Sequence, residues 1–81
     1  MNVELSPKAA KYLSGINQPD KGRIVCALKK LPQGDVKALQ GARGLFRLRV
    51  GGWRIVFSHP AQDSILVERI APRGEIYKGG F

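Results

Sequence analysis

The sequence predicts a small α+β domain, with a helical hairpin packed on one face of a mainly antiparallel sheet. Three observations point there. The chain has 81 residues, 43% hydrophobic and 25% charged, which is the composition of one folded domain. After a first short strand, helix signals come first and strand signals follow, the segregated order of α+β proteins. A Gly51-Gly52 pair stands between two arms that alternate apolar and polar residues.

The elements are expected in the order β-α-α-β-β-β within one domain, 1–81. Val3 and Leu5 alternate with polar neighbours, a short strand. Ser6-Pro7 reads as an N-cap followed by proline at the first helical position. A helix follows to about Ser14, and Gly15 stops it. Pro19-Asp20 opens a second helix with an acid in its first turn. Ile24, Leu28 and Leu31 fall at i, i+4 and i+7 and form its apolar stripe. Lys29 and Lys30 occupy its last turn, and Pro32 and Gly34 end it. Residues 32–44 read as a loop. Cys26, beside apolar residues of the second helix, reads as a small core residue.

The run LFRLRVGGWRIVFS, residues 45–58, carries most of the information. A two-residue turn at Gly51-Gly52 fixes the pairing: Val50 with Trp53, Arg49 with Arg54, Leu48 with Ile55, Arg47 with Val56, Phe46 with Phe57. Phe46, Leu48, Val50, Trp53, Ile55 and Phe57 then share one face, which must be core, so Trp53 is expected to pack and not to stack on a base. Arg47, Arg49 and Arg54 share the other face, with Arg49 and Arg54 a cross-strand pair of like charge. A phosphate accepting their hydrogen bonds would relieve that repulsion. Residues 58–64 read as a turn, with His59 an exposed residue beside Pro60. Residues 65–70 form a last long strand ended by Ala71-Pro72. Glu68 reads as a surface charge, or as a partner for an arginine across the sheet.

Charge sharpens this reading. There are 14 Lys+Arg against six Asp+Glu, a net charge of +8. Residues 36–62 hold five of the basic groups, Lys37, Arg43, Arg47, Arg49 and Arg54, and no acid. An anionic partner is expected: nucleic acid, an acidic protein segment, or both. The lysines and arginines of the two helices would add to its rate of association. A chain this short buries only about 60% of its unfolded surface, which excludes a TIM barrel or a two-half dinucleotide-binding fold. One cysteine excludes an internal disulfide and a multi-cysteine zinc site. Neither a signal peptide nor a transmembrane run is evident, and a cytoplasmic location away from membranes is expected.

The loop pattern Leu39-Gln40-Gly41, the hairpin from Gly44 to Phe57 and the ending Ile70-Ala71-Pro72-Arg73-Gly74-Glu75-Ile76-Tyr77-Lys78 together resemble the RelE/ParE superfamily of bacterial toxins from toxin–antitoxin systems. The resemblance covers nearly the whole chain. It implies a RelE-like, microbial ribonuclease-type fold. It also implies an endoribonuclease that cuts mRNA, typically in the decoding site of the 70S ribosome, without a metal or cofactor. The ribose 2′-hydroxyl attacks the adjacent phosphate and the 5′-oxygen leaves. Carried over residue by residue, the resemblance matches Arg47 and Arg49 to strand positions that carry basic residues in active members, Arg54 to the phosphate-stabilising arginine, Arg73 to the basic residue past the last strand, and Tyr77 to an aromatic that stacks on a base or moves a proton. Lys37, Arg43 and Lys78 add RNA affinity. Arginine stays protonated and is a poor general base, so proton transfer falls to Tyr77 or to orientation of the RNA by the ribosome. A cognate antitoxin is the implied partner, with operator DNA bound only through the antitoxin complex. Two other functions remain: a ParE-type inhibitor of DNA gyrase, and a nucleic-acid-binding module without toxicity.

Overall fold

The computed structural model describes residues 2–39, 41 and 44–72. Seven elements follow the chain: β1 (Asn2–Leu5), α1 (Pro7–Ser14), α2 (Asp20–Lys29), β2 (Val36–Ala38), β3 (Leu45–Val50), β4 (Trp53–Ala61) and β5 (Ser64–Pro72). The strands make one sheet in the order β1-β5-β4-β3-β2. β1 runs parallel to β5, and every other pairing is antiparallel. The expected α+β domain is present, two helices on one mixed sheet.

Local chemistry accounts for the helix ends. The Ser6 Oγ accepts from the Ala9 N–H at 3.1 Å and donates to the Glu68 carbonyl at 3.0 Å. It therefore caps α1 and ties the helix start to β5. Pro7 fills the first helical position, where its missing N–H costs nothing. In α2 the Gln18 Oε1 accepts from the Gly22 N–H at 2.9 Å, a cap supplied from one turn upstream. Ile24, Leu28 and Leu31 are buried as the spacing requires.

The core lies between the helices and one face of the sheet. Ile24, Leu28 and Ala9 from the helices meet Leu48, Ile55, Phe57, Ile65, Val67 and Ile70 from the strands. Phe46 and Phe57 stack with centroids 5.5 Å apart, and Trp53 meets Tyr12 edge-on at 6.3 Å. Trp53 thus packs on the helical side, as expected.

Three expectations need correction. The span 32–44 is not all loop, because Val36–Ala38 pairs with β3 as a fifth strand. At three residues it is too short to show a period, and Pro32 and Gly34 just before it hide it. The turn after β4 is only Gln62-Asp63, since Ala61 pairs with Ser64. Pro60 is tolerated there because the ladder slips between Ser58 and Ala61, where its missing N–H breaks no bond. His59 is exposed, but on a strand. Cys26 is exposed and is not a core residue. It sits two residues past Ile24, about 200° around the helix from the buried stripe. Among the described residues no helix is long and apolar enough to cross a membrane.

Candidate anion-binding site on the open sheet face

The expected hairpin register is present pair for pair, from Phe46 with Phe57 to Val50 with Trp53. Gly51 makes the turn with φ +55°, a conformation an L side chain resists. The register places Arg47, Arg49 and Arg54 on the face away from the helices. Adding β2 and β5 extends this face into rows. In one row stand Arg49, Arg54 and Ala71, and in the next Lys37, Arg47, Val56 and Arg69.

The arginines differ in environment. Arg54 is 7% exposed, the one buried charged residue among those described. Its Nη1 donates to the carbonyls of Gly51 at 3.0 Å and Trp53 at 2.9 Å. A buried guanidinium is tolerated only with such acceptors. Among the described residues no side-chain nitrogen or oxygen is both buried and without a partner. Arg54 fastens the hairpin turn.

Arg49 is exposed and is not in an acid-free setting. Its Nε donates to Asp35 Oδ2 at 2.6 Å, and its backbone N–H donates to the Asp35 carbonyl at 3.1 Å. The expectation of no neighbouring acid considered only residues 36–62; Asp35 lies one residue outside that span and is brought in by the β2–β3 pairing. Because the Arg49 N–H points to Asp35, Arg49 and Arg54 form the close, non-hydrogen-bonded kind of antiparallel pair, with Cα atoms about 4.5 Å apart. Arg49 and Arg54 thus stand opposite each other on neighbouring strands, with the Asp35 carboxylate bonded to Arg49.

Arg47 is half-buried, between Lys37 on β2 and Val56 on β4. Lys37 and Arg47 are a second cross-strand pair of like charge. The floor beneath these cations is apolar: Val56 and Ala71 are buried, with Leu39 and Leu45 packed against them. An apolar floor weakens competition from water and strengthens each charge above it. The Glu68 Oε2 accepts from Ser58 Oγ at 2.9 Å. β5 carries an extra residue here, opposite the step from Val56 to Phe57. Arg69 enters the cationic row by the same bulge and was not singled out from the sequence, because the slip breaks the alternation that would have marked it.

Of the expected site residues, Arg47, Arg49, Arg54 and Lys37 share this face. Arg43, Arg73, Tyr77 and Lys78 lie outside the described residues. No group of three or more His, Cys, Asp or Glu among the described residues is placed to hold a metal ion.

The architecture has clear relatives among solved structures. A chain of the RelB–RelE antitoxin–toxin complex from Methanococcus jannaschii superposes with a TM-score of 0.76 at 21% identity, over 95% of this chain and 98% of that one. The chain has a RelE-type toxin fold. A chain of the archaeal RelE–RelB complex from Pyrococcus horikoshii gives 0.71 at 25% identity, covering 91% and 96% of the two chains. The solution structure of the conserved hypothetical protein HP0894 from Helicobacter pylori gives 0.68 at 17% identity, covering 95% and 99%. No family model matches the sequence, and no curated protein does.

Proposed function

We propose that this protein is the toxin of a toxin–antitoxin system, a metal-independent endoribonuclease that cuts mRNA in the ribosomal A site. The observation that carries this reading is the Arg49–Arg54 pair on the open face of a RelE-type fold, flanked by Lys37 and Arg47. In-line attack by a 2′-hydroxyl concentrates negative charge on a five-coordinate phosphate. Two guanidinium groups fixed before the substrate arrives stabilise that charge without reorganisation. Arg73 completes the cation set in this reading, and Tyr77 supplies base stacking or proton transfer. Lys37, Arg43 and Lys78 grip the flanking RNA. The net charge of +8 draws the protein to the ribosome's RNA. The protein acts in the cytoplasm. A cognate antitoxin with acidic residues neutralises it, a reading supported by two fold relatives that come from RelB–RelE complexes. Operator DNA is reached only through that complex.

One observation favours a second reading, docking on DNA gyrase without catalysis. The described residues of the arginine face include no histidine or tyrosine to move a proton.

The test is a cleavage assay with purified protein on mRNA, with and without programmed ribosomes, mapping ends by primer extension. Arg54→Lys and Arg49→Ala run alongside, and gyrase supercoiling is measured in parallel. Ribosome-dependent cuts that Arg54→Lys loses and Arg49→Ala slows, both while folded, support the ribonuclease. Inhibited supercoiling with intact mRNA supports the gyrase reading, and neither effect leaves a binding module.

A further inference from the structure

We propose that Asp35 is a positioning residue: its carboxylate holds Arg49 by the Nε edge and leaves the two η nitrogens for phosphate. The inference rests on the ribonuclease reading of this face and adds to it a residue from outside the hairpin.

Asp35 grips Arg49 at two points. Its carbonyl takes the Arg49 backbone N–H at 3.1 Å, and its Oδ2 takes the side-chain Nε–H at 2.6 Å. The main chain and the guanidinium group of one arginine are thereby fixed by one residue just ahead of β2. The grip is itself anchored. Gly34 has φ +123°, where a side chain is strained, and a Cβ built there would come within 3.1 Å of Leu48 Cδ1 in the core. The Gly34 carbonyl also accepts from the Val36 N–H at 3.0 Å. The residues on either side of Asp35 are therefore bonded to each other, and one of them leaves little room for a side chain beside a buried leucine.

Stability does not explain the pair. The Arg49 side chain is 53% exposed and that of Asp35 38%, and such surface pairs contribute about 0–1 kcal/mol. Orientation does explain it. A free arginine on an open face must give up several rotamers when it closes on a phosphate, and holding it in advance removes that cost. Only Nε is engaged, so among the described residues both η nitrogens of Arg49 remain unbonded. The carboxylate also has an opposite effect. It places a negative charge beside two positive ones and weakens the pull on any polyanion. Asp35 should therefore lower RNA affinity and raise turnover, a split that a merely structural residue does not produce.

The test uses the full chain, with Asp35→Ala, Asp35→Asn, Arg49→Ala and the Asp35→Ala/Arg49→Ala double variant. Binding is measured with a single-stranded 2′-deoxy oligonucleotide, which cannot be cut, and turnover with mRNA on programmed ribosomes. Asp35→Ala should bind the oligonucleotide several-fold more tightly, yet show kcat lower by about tenfold, since displaced catalytic groups cost one to two powers of ten. Asp35→Asn should bind as tightly but keep near-normal kcat, because its amide oxygen still accepts from Nε. In the Arg49→Ala background the Asp35→Ala loss should vanish. Unchanged or faster turnover in Asp35→Ala overturns the proposal, as does an equal loss in Asp35→Asn or full additivity with Arg49→Ala. If the wild-type protein cuts nothing, the ribonuclease reading fails by itself. The Arg49 Nε–H resonance then decides on Asp35. Its persistence through oligonucleotide titration of the wild type and its loss in Asp35→Ala support the positioning role. Its disappearance on binding would make Asp35 a competitor of the phosphate and overturn it.

Discussion

The two faces of the β3–β4 ribbon are built from alternate residues of the same strands, yet they follow different rules. The helix-side face carries Phe46, Leu48, Val50, Trp53, Ile55 and Phe57, all apolar. Each works by filling space, and its neighbours are interchangeable in kind. The open face carries Arg47, Arg49, Arg54 and Val56, and each has a different surrounding: a lysine, an aspartate, two carbonyls, a buried alanine. One face is a pattern and the other a set of particular contacts. Substitutions on the first should change stability with little specificity, and those on the second should change function with little loss of fold.

The largest effect tests the first half of that contrast. Phe57 is fully enclosed and stacked on Phe46. Phe57→Ala should cost about 3–5 kcal/mol, the usual range for a buried phenylalanine, measured by urea denaturation. A loss under about 1 kcal/mol would mean that the helices do not close on this face as the core contacts require.

Arg54 is where the contrast should blur, because it belongs to both regimes. Arg54→Ala removes two charge-assisted bonds to Gly51 and Trp53 and should cost about 1.5–3 kcal/mol as well as abolishing cleavage. Arg54→Lys separates the roles. An ammonium can still reach a carbonyl, but it lacks the flat fork that holds a phosphate. Stability should recover in large part and cleavage should not. If both recover together, the side chain acts as a simple positive charge. Next in size is Gly51→Ala, expected to cost about 1–2 kcal/mol because φ +55° opposes a Cβ, with the loss read in thermal unfolding.

The same division explains what could be read from the sequence. The core face was legible because alternation and a two-residue glycine turn together determine a register, and the register determines which residues meet. The second helix was legible through Ile24, Leu28 and Leu31 for the same reason, while Cys26 was misplaced by reading apolar neighbours instead of helical angle. The open face was legible in its hairpin pairing, Arg49 with Arg54 and Arg47 with Val56, but not in its polar contacts. That Arg49 would meet Asp35 depends on β2, three residues with no period of their own. Arg69 reaches the row through a bulge, and the two bonds of Arg54 to main-chain carbonyls leave no trace in residue type. Periodic burial is written in the sequence, whereas a polar contact between strands depends on register, twist and slip that only the folded chain supplies.

The smallest effect on stability is the sharpest test of the second half. Arg47 is half-buried above Val56 and stands opposite Lys37, a like charge. Removing it deletes a repulsion as well as a cation, so Arg47→Ala should leave the free energy of unfolding within about 0.5 kcal/mol of wild type. Its effect on RNA should still be plain. If Arg47 takes one phosphate, the slope of log affinity against log salt for a single-stranded oligonucleotide should fall by about 0.7. Lys37→Ala should produce a similar fall if the two cations bind successive phosphates. The double variant should show more than the sum of the two single falls if they share one, since the survivor in each single variant is freed from its neighbour's repulsion and still holds the phosphate. An unchanged slope in all three variants would take the row of Lys37 and Arg47 out of the site and leave anion binding to the Arg49–Arg54 pair.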